Sequence, residues 1–325
     1  MLPADRRLGV HLALGAGMVK AANRAVEIGA TTIQVFTDNP TSWRRRPTLP
    51  EGLPRFREIL ARAGIAPIAV HAPYLINLGG PELPFHDQSV SVLANELRVG
   101  RAYGASFVNV HIGSHRGDGV ASGVERLTAG IVAALARADD GQDDPGDIAI
   151  VLENGSGGGF GLGTTVEELA EIDGATRAAG VSPDRLAFCL DTAHLWGAGY
   201  PIDTATGVDE VLAAFDEQIG LHRLVLVHLN DSRSERGSRA DRHEHVGAGR
   251  IGSLGLARML THPNTAHVAF VLETPGMDEG YDAVNLGRAR AIVAGEPLEE
   301  LPPAAFHLRS ARGRSAPPDR DAKRR

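Results

Sequence analysis

Side chains able to ligate a metal recur in this chain at the ends of apolar runs. His71 closes IAVH, His111 closes FVNVH and Glu153 closes IAIVLE, while Asp191 closes LAFCLD, His228 closes LVLVH and Glu273 closes VAFVLE. Subtracting successive positions gives steps of 40, 42, 38, 37 and 45 residues, each long enough for one strand, one helix and two loops. A lone histidine on an apolar strand is ordinarily a hydrogen-bonded core residue. Three imidazoles and three carboxylates together are another matter, because a buried carboxylate is strongly unfavourable unless it is paired or metal-bound. The mixed nitrogen and oxygen set suits zinc, manganese or iron better than magnesium or calcium, which favour oxygen alone. The absence of thiolate ligands argues against a structural zinc finger.

For six such residues to meet, their strands must end on one face. Parallel strands separated by helices achieve this. Two further strands precede the six, LGVHLALG at 8–15 and TTIQVFT at 31–37. Apolar residues at three- and four-residue intervals predict helices over 18–29, 89–104, 124–138, 165–180 and 208–220, with Gly, Pro, Asn and Asp at the joints. Eight strands alternating with helices predict an α/β fold, a (β/α)8 TIM barrel with the cluster at the C-terminal face of its strands. A doubly wound open sheet is the competing architecture, but no GxGxxG follows the first strand. The barrel is expected to occupy residues 1–308 as one domain. DDGQDDPGD at 139–147 reads as an acidic surface loop, and the Arg- and Pro-rich tail at 309–325 as disordered and solvated.

Bulk properties narrow the classes. The chain has 325 residues, 43% hydrophobic and 22% charged, which is ordinary for a soluble globular protein. No apolar stretch approaches the ~20 residues of a membrane span, and MLPADRRLGV lacks the apolar core of a signal peptide. Cys189 is the only cysteine, so no intramolecular disulfide can form and a reducing cytoplasm is expected. A net charge of −7 does not itself invite nucleic acid. Lysine occurs only at Lys20 and Lys323, which disfavours Schiff-base chemistry.

Three further candidates lie off the ring. His194 follows Asp191 by three residues in LDTAHLWGAGY, where the strand is expected to break into a loop. Asp241 and His243 lie in SRADRHEHVGAGRIG, an insertion between the seventh strand and the next helix. Residues two apart in extended chain face the same side, so this pair could grip one ion while Arg242 faces elsewhere, toward a phosphate. The plainer account of the stretch is a charged, solvated loop.

HAPYLINL (71–78), VHIGSH (110–115), LENGSG (152–157), CLDTAHLWGAGY (189–200), VHLNDS (227–232), GSRADRHEHVGAGRIG (237–252) and LETPG (272–276) resemble the signature segments of the endonuclease IV family. These are apurinic/apyrimidinic endonucleases of base-excision repair, and the resemblance runs from about residue 8 to about 300. It implies three zinc ions, one position being suited to manganese. His71 and His111 would hold the first, Glu153 would bridge it to the second, Asp191, His228 and Glu273 would complete the second, and His194, Asp241 and His243 would hold the third. Glu153 and Glu273 are the carboxylates expected at the catalytic centre. Four acidic ligands against three divalent ions leave a local surplus of positive charge, so a phosphate-attracting field need not come from lysine.

Paired divalent ions lower the pKa of water and stabilise attacking and leaving oxygens. The residues themselves support metal-assisted hydrolysis; the resemblance implies that the cut falls on the 5′ side of an abasic site, leaving a 3′-hydroxyl and a 5′-deoxyribose phosphate, together with removal of 3′-blocking groups. The implied partner is double-stranded DNA with abasic sites or blocked 3′ ends, met by a monomeric bacterial-type enzyme at the nucleoid. An unpaired sugar is readily flipped into a pocket. Tyr74 and Leu75 match family residues that wedge into the duplex, though ordinary rim packing explains them too. Asn39 matches another DNA-contacting loop. There, Thr41 stands where relatives carry an arginine wedge, with Arg44, Arg45 and Arg46 close behind. Ala193 replaces a cysteine that is not a ligand.

His11 reads as a core residue or a partner of the ligands, while His115 and His245 could contact substrate or nearby carboxylates. GSGGGFGLG (155–163) lacks the Lys-Ser/Thr ending of a P-loop and reads as a flexible loop. Cys189 reads as a small buried apolar residue. Two rivals remain: a sugar isomerase or epimerase on the same barrel, which has no use for His194, Asp241 and His243, and a nonenzymatic metal- or DNA-binding protein.

Overall fold

The computed structural model describes residues 3, 6–81, 85–141 and 148–308. The tail at 309–325 and most of the acidic loop lie outside the described residues. Among the described residues ten short strands are present: β1 (Arg7–Leu12), β2 (Ile33–Val35), β3 (Ile68–His71), β4 (Phe107–His111), β5 (Ala149–Glu153), β6 (Leu186–Asp191), β7 (Leu224–His228), β8 (Asp231–Ser232), β9 (His243–Glu244) and β10 (Ala269–Leu272). Eight pair in parallel into a closed barrel, in the order β1, β2, β3, β4, β5, β6, β7, β10 and back to β1. β8 and β9 form a separate antiparallel ribbon inside the insertion after β7. The open-sheet alternative is thereby excluded.

The helices are α1 (Met18–Glu27), α2 (Leu53–Arg62), α3 (Phe85–Tyr103), α4 (Val120–Asp139), α5 (Val166–Ala178), α6 (Thr192–Ala198), α7 (Ala205–Gln218), α8 (Gly252–Thr261) and α9 (Tyr281–Ala294). Thr165 and Thr204 cap α5 and α7 by accepting from backbone amides three residues on. Each helix turns an apolar stripe inward, and these stripes with the outward faces of the strands make one continuous core. The first two strands are shorter than their apolar runs, because the rim residues beyond Leu12 and Val35 leave the ladder to form loops.

Inside the barrel a second, small apolar layer is built from Ala69, Val151, Ala187, Cys189, Leu226, Ala269 and Val271. Side chains two apart on a strand share a face. Ala69, Val151, Cys189, Leu226 and Val271 therefore aim His71, Glu153, Asp191, His228 and Glu273 into the barrel mouth, directly above that layer. Five of the six ring residues gain their direction from this rule, and His111 gains it from Asn109.

Close packing of β1 against the start of β2 leaves no room beside Gly9, where a Cβ would lie 1.7 Å from the Thr32 carbonyl oxygen. Because backbone cannot rotate away, Gly9→Ala is expected to destabilise the barrel by about 3 kcal/mol or more. A thermal melt within experimental error of wild type would contradict this packing.

Candidate metal centre

The six strand-end residues do converge. His71, His111 and Glu153 form one group, and Glu153, Asp191, His228 and Glu273 a second, with one potential ligand atom from each residue within 4.8 Å of the others. Glu153 belongs to both. It lies 3.6 Å from His71 Nε2, 3.4 Å from His111 Nε2 and 3.4 Å from His228 Nδ1. Glu273 stands 3.3 Å from His228 Nδ1.

A third group, Asp191, His194 and His243, meets the same criterion. Asp241 joins it at 3.4 Å from His194 Nε2 and 3.1 Å from His243 Nε2. Asp191, expected on the second ion, thus also reaches the third group, its Oδ2 lying 3.5 Å from His243 Nε2. The loop expected around His194 is a helix. Asp191 caps α6 by accepting from the His194 amide at 2.9 Å, so one carboxylate ends the strand and starts the helix that carries the next ligand.

Four of the five imidazoles are held by the far nitrogen. His71 Nδ1 lies 2.6 Å from the Ala72 carbonyl, His194 Nδ1 2.9 Å from that of Asn154, and His243 Nδ1 2.9 Å from that of Glu273. His228 Nε2 lies 3.1 Å from Gln34 Oε1. These oxygens only accept, so each ring donates there and presents its other nitrogen to the cluster, the arrangement metal-ligating histidines adopt. Among the described residues, His71 Nε2, His228 Nδ1, His243 Nε2 and Glu153 Oε1 are buried with no hydrogen-bond partner. Buried polar atoms rarely go unpaired. Four such atoms pointing into one space, on residue types that coordinate, fit a site built for divalent cations.

Amide side chains that sequence reasoning passed over complete the cluster. Asn109 donates to Glu153 Oε2 at 2.7 Å, Gln34 to Glu273 Oε1 at 2.7 Å and Asn230 to Asp191 Oδ2 at 2.7 Å. Asn154 Oδ1 accepts from the Asp191 amide at 2.7 Å. Their signal was available: Asn109 and Asn230 stand two residues from His111 and His228, and Asn154 adjoins Glu153. His11 also belongs here, 3.4 Å from Glu273 Oε1. His115 and His245 do not. His115 Nδ1 accepts from the Gly119 amide at 2.9 Å. His245 bonds the Ala305 carbonyl and Asn285 at 3.0 and 2.9 Å, and neither ring meets a carboxylate.

Around the mouth, the Tyr74 ring stands edge-on to His71 and His111 at 5.4 and 5.8 Å between centroids, and Leu75 beside it is half-buried. The Tyr74 amide donates to the Pro40 carbonyl at 3.2 Å, joining this loop to the one after β2. There the exposed Asn39 accepts from the Thr41 hydroxyl at 2.9 Å, so the residue in the wedge position is tied back. Arg45 pairs with buried Glu96 at 3.1 Å and Arg46 with Asp38 at 3.6 Å. Arg242 is exposed between Asp241 and His243. Gly-rich 155–163 is pinned rather than slack: the Gly155 amide donates to the Gly163 carbonyl at 2.9 Å and that of Leu162 to Gly113 at 3.0 Å. Buried Cys189 lies beneath the site, its thiol pushed up to about 12 by burial.

Burial alone would raise the carboxylates, yet His111 and His228 hold Glu153 well below the usual range, and His194 and His243 do the same for Asp241. The imidazoles answer in kind. Against the pull of burial, the surrounding carboxylates raise His194 and His228 well above 6.5 and His243 to about 9. Burial dominates at His111, lowered to about 4.

Fold and rim together define a parallel barrel with candidate metal groups at its C-terminal face. Residues 22–295 match the profile of the xylose isomerase-like TIM barrels. A probable endonuclease 4 of Methanoculleus marisnigri is 37% identical over 286 residues, covering 88% of this chain and 98% of that protein. Endonuclease IV from Thermus thermophilus, known as a crystal structure, is 37% identical with a TM-score of 0.75, covering 89% and 99% of the two chains. A D-tagatose 3-epimerase-like protein, 19% identical with a TM-score of 0.64 and coverage of 89% and 98%, shares the fold alone. The chain belongs to the endonuclease IV family.

Metal-free protein should carry its charge balance as imidazolium–carboxylate pairs. His243, raised from 6.5 to about 9, contributes stability fully present below pH 6.5 and lost as pH rises through about 9. Chelator-treated protein is therefore expected to melt at a lower temperature near pH 9.5 than at pH 6.5. Divalent-loaded protein should show the reverse over the same window, because ions compete with protons for the same nitrogens. Equal melting temperatures across that range without metal would refute the pairing.

Proposed function

We propose that this chain hydrolyses the phosphodiester on the 5′ side of abasic sites in double-stranded DNA, leaving a 3′-hydroxyl and a 5′-deoxyribose phosphate, and that it also clears blocked 3′ ends. It does so with three zinc ions, manganese being suited to one position, and acts as a monomer in the cytoplasm. The carrying observation is the set of unpartnered buried atoms, His71 Nε2, His228 Nδ1, His243 Nε2 and Glu153 Oε1, turned toward one another at the mouth of the barrel. Membership of the endonuclease IV family supports the same reading.

His71, His111 and Glu153 would hold the first ion, and Glu153, Asp191, His228 and Glu273 the second. His194, Asp241 and His243 would hold the third, with Asp191 within reach of it. Divalent cations would neutralise the phosphodiester and activate water, which no side chain in the cluster achieves alone. The chain's own residues set the geometry. Gln34 pins His228 and Glu273 together, Asn230 steadies Asp191, and Asn109 fixes the bridging Glu153. Glu153 and Glu273 thereby present carboxylates at the reacting phosphate. Tyr74 and Leu75, with the loop at Asn39 and the exposed Arg242, would meet the DNA. A sugar epimerase shares the barrel, but the third group has no counterpart in its reading. No helix of the described residues is long and apolar enough to cross a membrane.

Zinc-loaded protein should nick a duplex carrying one tetrahydrofuran analogue, which resists β-elimination, and prolonged chelation should abolish the cut. Uncut duplex would sink the proposal. Elemental analysis of the loaded protein is expected to find three metals per chain. His243→Ala should lower incision more than about 100-fold, beyond the usual effect of losing a ligand's outer partner, while circular dichroism keeps its wild-type form. Near-wild-type incision would remove His243 from the site.

A further inference from the structure

Every described arginine except four is engaged through its side chain in an ion pair or hydrogen bond. The exceptions among the described residues are Arg44, Arg116, Arg239 and Arg242. All four are exposed, and all lie in loops that leave the C-terminal ends of β2, β4 and β7. A chain that engages its described guanidinium groups everywhere else leaves these four open around one face.

Phe160 shares that face. It sits in the loop after β5 and is 62% exposed. Its φ of 67° is left-handed, a conformation that among the described non-glycine residues recurs only at Arg116, φ 53°, and Arg239, φ 56°. Such strain persists only where the surroundings hold it, and it gathers at binding sites. The surroundings here do hold it. The His115 amide donates to the Phe160 carbonyl at 3.1 Å, and the Phe160 ring rests 5.4 Å from the His115 ring. A Cβ on Gly158 would lie 2.9 Å from the Arg239 carbonyl oxygen, so the loops of Phe160 and Arg239 lie against each other. Packing does not explain an aromatic ring left mostly in water.

We propose that Phe160 is a nucleobase-stacking platform, flanked by Arg116 and Arg239 on the phosphates. Open rings beside unpaired guanidinium groups are how proteins hold single nucleotides. In an intact duplex each base face is covered by its neighbours. The ligand is therefore the base left without a stacking partner at a lesion, either beside or opposite the missing base. The inference rests on the abasic-DNA reading above.

Single-turnover incision of the tetrahydrofuran duplex against protein concentration reads half-saturation separately from the rate of cleavage. Fluorescence anisotropy reads binding if the duplex stays uncut, so failure of the nuclease reading and failure of this one are distinguishable. Phe160→Ala should raise half-saturation about 5- to 100-fold. Phe160→Leu, which keeps bulk without a π face, should behave like Ala, and Phe160→Trp like wild type. The penalty should vanish in duplexes from which one particular base, flanking or opposite the lesion, has been deleted. An unimpaired Phe160→Ala, a wild-type-like Phe160→Leu, or a penalty indifferent to every deletion would overturn the assignment.

Discussion

The structure depends on one electrostatic constraint: Glu153, Asp191 and Glu273 lie together at the barrel mouth, the first two almost wholly buried. Like charges so close, out of water, repel strongly and are tolerated only with positive partners. The imidazoles of His71, His111 and His228 stand around them, and an asparagine or glutamine side chain donates to one oxygen of each carboxylate. Protons on His228, and on His194 and His243 beside Asp191, can supply part of the balancing charge in the free protein, and divalent ions can replace those protons. The barrel's apolar interior, ending two residues below, keeps water from entering underneath and fixes which way each ligand points.

A barrel alone supplies only the ring. The third group needs two additions. α6 begins on Asp191 itself, which carries His194 inward, and the insertion after β7 returns Asp241 and His243 over the top. Buried Asp231 staples the base of that insertion by accepting from the amides of Ser232, Gly249 and Ile251 at 2.8, 3.0 and 2.9 Å. Burial raises its pKa, and the donated amides offset part of that rise. The β8–β9 ribbon then holds His243 in extended chain, which lets Asp241 share its face while Arg242 stays exposed.

Much of this was legible in the residues. Strand-end ligands at βα spacing implied the barrel because a two-residue period and a common C-terminal face are backbone geometry, indifferent to the rest of the sequence. The helix at His194 was not legible, since LDTAHLWGAGY is short and its cap is also a ligand, so one residue carries two signals. The role of Gln34 was hidden for a different reason: its partners His228 and Glu273 lie 194 and 239 residues away, and only closure of the barrel brings them together. The carboxylate contacts expected of His115 and His245 are not formed, because nearness in sequence to a ligand says nothing of direction. His115 turns into its own loop, and His245 packs against Tyr281 and Phe306.

Net charge was the least informative quantity. At −7 the chain looks unsuited to a polyanion, yet exposed charges are screened within about 8–10 Å at ordinary ionic strength. A phosphate at the barrel mouth therefore meets the local field and little of the total. Several acidic residues elsewhere are paired with arginines, as in Asp282 with Arg24, Asp173 with Arg223 and Asp139 with Arg185. Those pairs cancel at a distance. The loops at the strand ends keep Arg44, Arg116, Arg239 and Arg242 unpaired among the described residues, around a pocket whose own carboxylates face imidazoles. An acidic protein can thus present a basic rim, provided its ion pairs are distributed unevenly, and here they are.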